Sequence, residues 1–482
     1  MLYNSYIFCF LFLPIVLCAY YLLNKYEKYN LSLALLFFAS IIFYSYDNIR
    51  YVVLLMGSII INWFISCLLS QSRNIFYLII GIGINIAIIF HFKYFNFFID
   101  NLNKLFQFEF SFRKILLPLG ISFITFQQIS YIVDSYRGET KEYSFLEYAA
   151  FISFFPQLIA GPIVLHKEII PQFKDYRKKL FCHESFAKGV YFFSIGLFKK
   201  VIIADTLNKA VAWGWGNFEQ ITSLEIIIIM LSYTFQIYFD FSGYSEMALG
   251  IGKMFNFDIP MNFDCPYKSC SIIEFWKKWH ITLTRFLREY VYFPLGGSLK
   301  GKVWTCLNVM IVFFLSGLWH GANWTFVLWG VMHGIAQIFN RFFDVKWEKC
   351  NQVFRWLVTF SFINIMWLFF RADSIGQAWE LLIRVIKMET LTISEDLYKC
   401  FVLPEIKWLV GCVTPMEKLI EKINGFYMWV TLLMVFGICL NETNIKEKKF
   451  YPNILTAIKC SWLLIWSIIS FSGVSVFLYF NF

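Results

Sequence analysis

Apolar residues come in long unbroken blocks. They lie at about 5–23, 31–46, 51–69, 75–92, 115–134, 146–165, 187–204, 221–241, 303–319, 324–340, 353–370, 426–440 and 460–480. About 20 apolar residues cross the hydrocarbon core of a bilayer as a helix. An outer-membrane barrel would instead show alternation over segments of about 10 residues. The pattern therefore predicts an all-α, polytopic membrane protein, and thirteen blocks overcount its crossings. The block at 146–165 holds Pro156, Gly161 and Pro162 and is expected to be re-entrant. The 187–204 block ends in Lys199 and Lys200 and is expected either to span or to lie along the interface. Broken backbone at membrane depth is tolerated only inside protein or beside water, so the interrupted centre points to a cavity. In 271–293, Trp276, Trp279, Leu283, Phe286 and Tyr290 recur at helical spacing, with Lys277, Lys278, Arg285 and Arg288 off that stripe. Ser271 and Glu274 form a capping-box signature, and Pro294 stops the run. One amphipathic helix is predicted, in the interface or lining a polar cavity.

Composition supports the membrane reading. The 482 residues are 59% hydrophobic, 21% aromatic and only 15% charged, against about 25% charged in soluble domains. A soluble enzyme, a disordered chain and a collagen-like chain are excluded. The 42 Lys and Arg exceed the 32 Asp and Glu by ten. That excess concentrates at 166–188 and 253–302, where it sets topology and faces anionic lipid; nucleic acid is not an expected partner. Orientation stays open, because counting every block as a crossing puts Lys25 and Lys28 opposite the 166–188 segment. The twelve cysteines lie mostly in apolar blocks and read as packing residues; no zinc-type spacing occurs, and no metal is expected. The first block reads as a first span, not a cleaved signal. With no internal repeat or hydrophilic insert, residues 1–482 read as one membrane domain.

Chemistry rests on few residues. Of six histidines, His166 and His183 sit in a basic loop and read as solvated, while His91 and His333 lie in apolar blocks and read as packed or hydrogen-bonded. His320 ends the strongly apolar run VMIVFFLSGLWHGANW, with Gly317 and Gly321 at a four-residue step around it. An ionisable group at that depth usually faces a cavity or a partner, and the glycines allow close helix approach. An imidazole there suits proton transfer. No nucleophile elbow, HExxH or phosphate loop is present, so a buried base fits transfer from an activated donor to a hydroxyl better than hydrolysis. His280, at the edge of the amphipathic stripe, orients an acceptor, stabilises developing charge, or merely anchors. Asp240 and Ser242, in YFDFSGYSE, either line a polar cavity or mark the water-facing end of a span.

The stretches FFPQLIAGPIVLHKEIIPQF (154–173), YFDFSGYSEMALGIG (238–252), PYKSCSIIEFWKKWHITLTRFLREYVYFPLGG (266–297), LSGLWHGANWTFVLWGVMHG (315–334), FFRADS (369–374) and FLYFNF (477–482) occur in that order. Together they resemble the membrane-bound O-acyltransferase (MBOAT) family, in particular its branch that acetylates bacterial exopolysaccharides of the alginate type. The resemblance runs from about residue 85 to the end, with core motifs at about 110–340. It implies roughly eleven helices around a funnel and a multi-pass protein of the bacterial inner membrane. It also implies catalytic roles for His320 and His280. The implied donor is acetyl-CoA or another acyl thioester, with no tightly bound cofactor, and the acceptor is a polysaccharide or a carrier protein. A partner of the SGNH-hydrolase type outside the membrane is expected to complete transfer to sugar hydroxyls. On this reading His320 is the general base at the end of a wet passage, and His280, Trp319 or Asn323 contact the oxyanion. If the local structure is helical, Asn323 shares the face of His320, and His333 falls about 220° away at 100° per residue. The rival readings are a transporter or flippase for a lipid-linked sugar, and a scaffold; the break at 156–162 has no counterpart in the second half, against the paired broken helices expected of a transporter.

Overall fold

The computed structural model describes all residues except 47, 113–114, 141–142, 160, 413–419, 421–422, 442–449, 474–477 and 479–482. All regular structure among the described residues is helical. Among the described residues, six helices are long and apolar enough to cross a membrane: Phe8–Lys25, Ile49–Ser72, Ile75–Phe106, Ser223–Met254, Lys302–His320 and Gln352–Arg371. Tyr29–Ser45, Phe426–Asn441 and Ile454–Ile469 are shorter apolar helices. The protein is an all-α, polytopic membrane protein.

Its axis is the 32-residue Ser223–Met254 helix, 83% of whose most apolar window is buried. A capping box starts it: Glu225 N donates to Thr222 Oγ1 at 3.2 Å and Thr222 N to Glu225 Oε2 at 2.8 Å. The His183–Phe198 helix packs antiparallel against it through paired glycines. A Cβ at Gly196 would stand 2.5 Å from Gly243 O, and one at Gly189 would stand 2.7 Å from Gly250 O. Small residues are how helices approach closely in lipid, where no hydrophobic force separates a helix from its solvent.

That helix continues into a π-helical turn, Lys199–Ala204, all of whose residues are buried in the bundle. Lys199 pairs with Glu246 at 2.5 Å, and Lys200 with Asp205 at 2.8 Å and Asp240 at 2.6 Å. A buried charge is tolerated when it is paired and hydrogen-bonded; here the axial helix supplies Glu246 and Asp240, and the helix that follows the turn supplies Asp205. Asp240 and Ser242 do not end the helix, which runs twelve residues past Ser242 to Met254, and both are buried.

The 146–165 block is broken as expected. Helices Phe145–Ser153 and Phe155–Leu158 give way to extended backbone before a new helix at His166. Side chains satisfy the freed groups: Phe155 N donates to Ser40 Oγ (3.1 Å), Ile163 N to Thr282 Oγ1 (2.9 Å), and Tyr3 OH to Phe155 O (2.7 Å). Residues 115–120, expected to open a span, are not helical; the helix begins at Ile121, after Pro118 and Gly120. The 271–293 stretch is three pieces, Ile272–Lys278, Ile281–Leu287 and Arg288–Tyr292. Its stripe residues Trp276, Trp279, Leu283 and Phe286 are buried within the protein. Of the closing FLYFNF only Leu478 lies among the described residues.

The two basic segments share one face. Lys178 and Lys253 both bond Asp258, the former at 2.5 Å, and Gln172 exchanges two bonds with the Asp258 backbone at 2.9 and 2.8 Å.

The glycine contacts yield a test. Gly196→Val forces a Cβ onto backbone oxygen and nitrogen, a kind of overpacking that costs about 1–3 kcal/mol, so its melting temperature in detergent should fall by several degrees. Gly83→Ala, where a Cβ meets nothing within 4 Å, should leave it unchanged.

Candidate active site

His320 is the last residue of the Lys302–His320 helix, and the next helix starts at Trp324. The hairpin between them is tight because Gly317 and Gly330 leave no room for a side chain: a Cβ at either would lie 2.4 Å from a carbonyl oxygen of the opposite helix. A helix end leaves four carbonyls without an intrahelical partner. Here Lys93 Nζ donates to Trp319 O (2.6 Å) and His320 O (3.0 Å), and Tyr94 OH to Leu318 O (2.6 Å). A cation at a helix C-terminus also complements its dipole. Both donors come from a π-helical turn, Phe90–Tyr94, a feature frequent at functional sites.

The His320 ring is 3% exposed. It meets Trp319, Trp329 and Phe370 edge-on, at centroid distances of 4.9, 5.0 and 5.2 Å. The Trp319 ring also touches His280 at 5.7 Å, so one indole stands against both histidines.

His280 occupies the break between two short helices with φ +46°, a conformation rare outside glycine and frequent at sites that store strain. Asn262 holds it. Asn262 Oδ1 receives Thr282 N (3.3 Å), Thr282 Oγ1 (2.9 Å) and His280 Nδ1 (3.1 Å), and Ile281 N donates to Asn262 O (3.0 Å). A backbone N–H only donates, so that amide atom is the oxygen and His280 carries its proton on Nδ1. Its Nε2 is left as a buried lone pair, with no partner among the described residues. The Trp319 indole N–H is likewise buried and unmatched there. A buried acceptor on His280 and a buried donor on Trp319, each without a partner among the described residues, thus sit on two rings in contact.

Two cavities approach this pair from different sides. One, of about 640 Å³, is lined by Lys93, Gly321, Asn323, Phe370 and Arg371 among others. The other, of about 510 Å³, lies on the basic face and is lined by Glu168, Asp258, Thr282 and Arg285 among others. The first reaches the residues around His320 but not its ring; Phe370 stands between as the partition. The second reaches Ile281 and Thr282, directly after His280.

The remaining candidates fall in three places. Asn323 is not on the helical face of His320, because the chain turns at Gly321; it caps the next helix, accepting from Thr325 N at 3.1 Å, yet it lines the larger cavity. The angular argument for His333 fails at the same break. Its ring lies 4.7 Å from Trp329, which also touches His320, and its Nδ1 accepts from Trp276 Nε1 at 3.2 Å. Asp240 is tied to Lys200 and accepts from Leu478 N at 2.8 Å, and neither it nor Ser242 lines either cavity. His166 is not solvated. It is buried, with Asp134 Oδ2 at 3.0 Å and Tyr143 OH at 3.2 Å. Glu139 brings a third ligand atom within 4.8 Å of those two residues, but Arg137 and Tyr290 already bond Asp134. Lys93 and Asn262 were missed. Lys93 had a usable signal, a lone cation just past an apolar block; Asn262 sits in a loop with none.

Asn262→Leu removes the acceptor of three buried donors. At about 1–3 kcal/mol for each buried group left unsatisfied, the thermal midpoint should drop by several degrees, whereas Asn262→Asp, which keeps the acceptor, should restore most of the loss.

The family model for MBOAT, the membrane-bound O-acyltransferase family, matches residues 85–375. A peptidoglycan O-acetyltransferase of Helicobacter pylori is 38% identical, over 100% of this chain and 98% of that protein. A probable alginate O-acetylase of Pseudomonas aeruginosa is 38% identical over 82% of this chain and 76% of its own length. A teichoic acid D-alanyltransferase of Bacillus subtilis is 29% identical over 52% of this chain and 64% of that protein.

Proposed function

The chain belongs to the membrane-bound O-acyltransferase family, and from that premise we propose that it moves an acetyl group from an acetyl thioester to hydroxyls of a cell-envelope glycan, with His320 as general base. The enzyme is an O-acyltransferase of several membrane spans. Peptidoglycan is the first acceptor to test, since the peptidoglycan O-acetyltransferase matches end to end.

The observation that carries this reading is the buried histidine pair facing one indole between two cavities. The basic face lies toward the cytoplasm by the positive-inside tendency, so the cavity at Thr282 and Arg285 would receive the thioester, acetyl-CoA or a carrier-borne acyl group. The larger cavity would receive the hydroxyl. That hydroxyl oxygen attacks the thioester carbonyl carbon while its proton passes to His320. The tetrahedral intermediate then expels the thiolate, which takes the proton and leaves as thiol. Trp319 Nε1–H is placed to donate to the oxyanion, and donors in a water-poor site act strongly there. The His280 tautomer supports an orienting role: Nε2 can only accept, so it would hold a donor group of the substrate other than the reacting hydroxyl, whose single proton goes to His320, and it does not suit an oxyanion. Movement of the Phe370 ring would open the last step to His320. We extend the proposal to a bacterial inner-membrane location, to no tightly bound cofactor, and to an SGNH-type partner that takes the acetyl group onward from the larger cavity.

Purified His320→Ala that still elutes as folded protein should lose acetyl transfer from a labelled thioester by at least ~100-fold, the scale of general-base catalysis. Undiminished transfer would remove His320 from the chemistry.

A further inference from the structure

Building on that acyltransferase reading, we propose that Arg371 and Lys93 form an anion-binding subsite in the larger cavity, so that the acceptor carries a carboxylate or phosphate near the hydroxyl it offers. Arg371 ends the Gln352–Arg371 helix and its guanidinium carbon lies 4.8 Å from the Trp215 ring centroid. Stacking uses the face of the guanidinium and leaves its in-plane N–H donors available. Among the described residues those donors meet no hydrogen-bond acceptor, and no carboxylate stands within 4.0 Å. Lys93 spends its bonds on the Trp319 and His320 carbonyls, which satisfy its protons without neutralising its charge. Asp373 lines the same cavity but is exposed and pairs with neither cation.

Two neighbouring cations on one cavity wall that pair with no carboxylate among the described residues are costly, and a bound anion lowers that cost. The arginine fork suits two oxygens of one acid group. The contrast with the other cavity sharpens the assignment. There Arg285, the cation in its lining, is already held by Glu168 at 2.5 and 2.8 Å. Of the two cavities, the one beside His320 is lined by cations, Arg371 and Lys93, that pair with no carboxylate among the described residues. Its other polar groups, Asn96, Asn208, Gln236 and Asn323, are amides of the kind that meet sugar hydroxyls.

The test is equilibrium binding to the full-length protein in lipid nanodiscs, with glucuronate, glucose 6-phosphate and glucose as probes and no acetyl donor present. At least one anionic probe should bind roughly 10-fold or more tighter than glucose, the scale of a charge-assisted hydrogen-bond pair, and Arg371→Gln should abolish that preference. Preference for glucuronate alone identifies a carboxylate-bearing glycan, and preference for glucose 6-phosphate alone a phosphate-bearing one. Should Arg371→Gln fail to fold, Arg371→Lys and Lys93→Met serve, each expected to shrink the preference at least 3-fold. Equal binding of all three probes, or a preference untouched by these variants, overturns the subsite. Binding is read without catalysis: a protein that transfers acetyl but shows no preference sinks the subsite alone, and one with the preference but no transfer sinks the acyltransferase reading alone.

Discussion

A helix that stops inside the protein must hand its last carbonyls to some other donor, and the site is organised around how that happens at His320. Water is scarce there, and each unsatisfied group costs several kcal/mol. Lys93 and Tyr94 supply the donors from a π-helical turn in a different span, so the end of the histidine helix is pinned to the Ile75–Phe106 helix. Two consequences follow from one set of hydrogen bonds. The imidazole is held at a hairpin tip whose other side is closed by the Gly317–Gly330 contact, and a positive charge is placed at the cavity wall beside it.

Elsewhere polar groups do a similar fastening job. Lys199 and Lys200 bind the π-helical turn to the axial helix through Glu246 and Asp240, and Lys200 also pairs with Asp205 at the start of the next helix. Asn262 gathers the broken strand of backbone around His280. The extended backbone after Leu158 is stitched to Thr282, and the start of the short helix before it to Ser40 and Tyr3. In water such bonds would compete with solvent and contribute little; in the interior of a membrane protein their absence is expensive, and that asymmetry lets a chain so poor in charge keep irregular backbone at its centre. The two cavities then differ in what is left over: among the described residues Arg285 in the one is paired with Glu168, and Arg371 in the other is paired with no carboxylate.

The helical class, most of the spans and the interrupted centre were legible in the sequence because each depends on properties local to a segment: length of apolar run, glycine and proline at fixed places, an ionisable residue where lipid is expected. His320 was visible for that reason. His280 was visible as a residue, while its left-handed backbone and its tautomer were not, since both are imposed by Asn262, eighteen positions away. The reading of 271–293 as one helix followed the periodicity correctly and missed the break at Trp279 and His280, because a three- or four-residue spacing of aromatics survives a kink. His166 was read as solvated from the charges around it, and Asp134 on another helix buries it.

What the sequence alone determined is that this chain lives in a membrane as helices, with a histidine set deep at the end of one of them; hydropathy and residue type carry that information segment by segment. Which helix ends meet, which cations find a carboxylate and which face an open cavity were decided only by the tertiary structure. Those outcomes depend on distances between residues far apart in the chain, such as Lys93 and His320 or Arg371 and Trp215, and no local pattern encodes them.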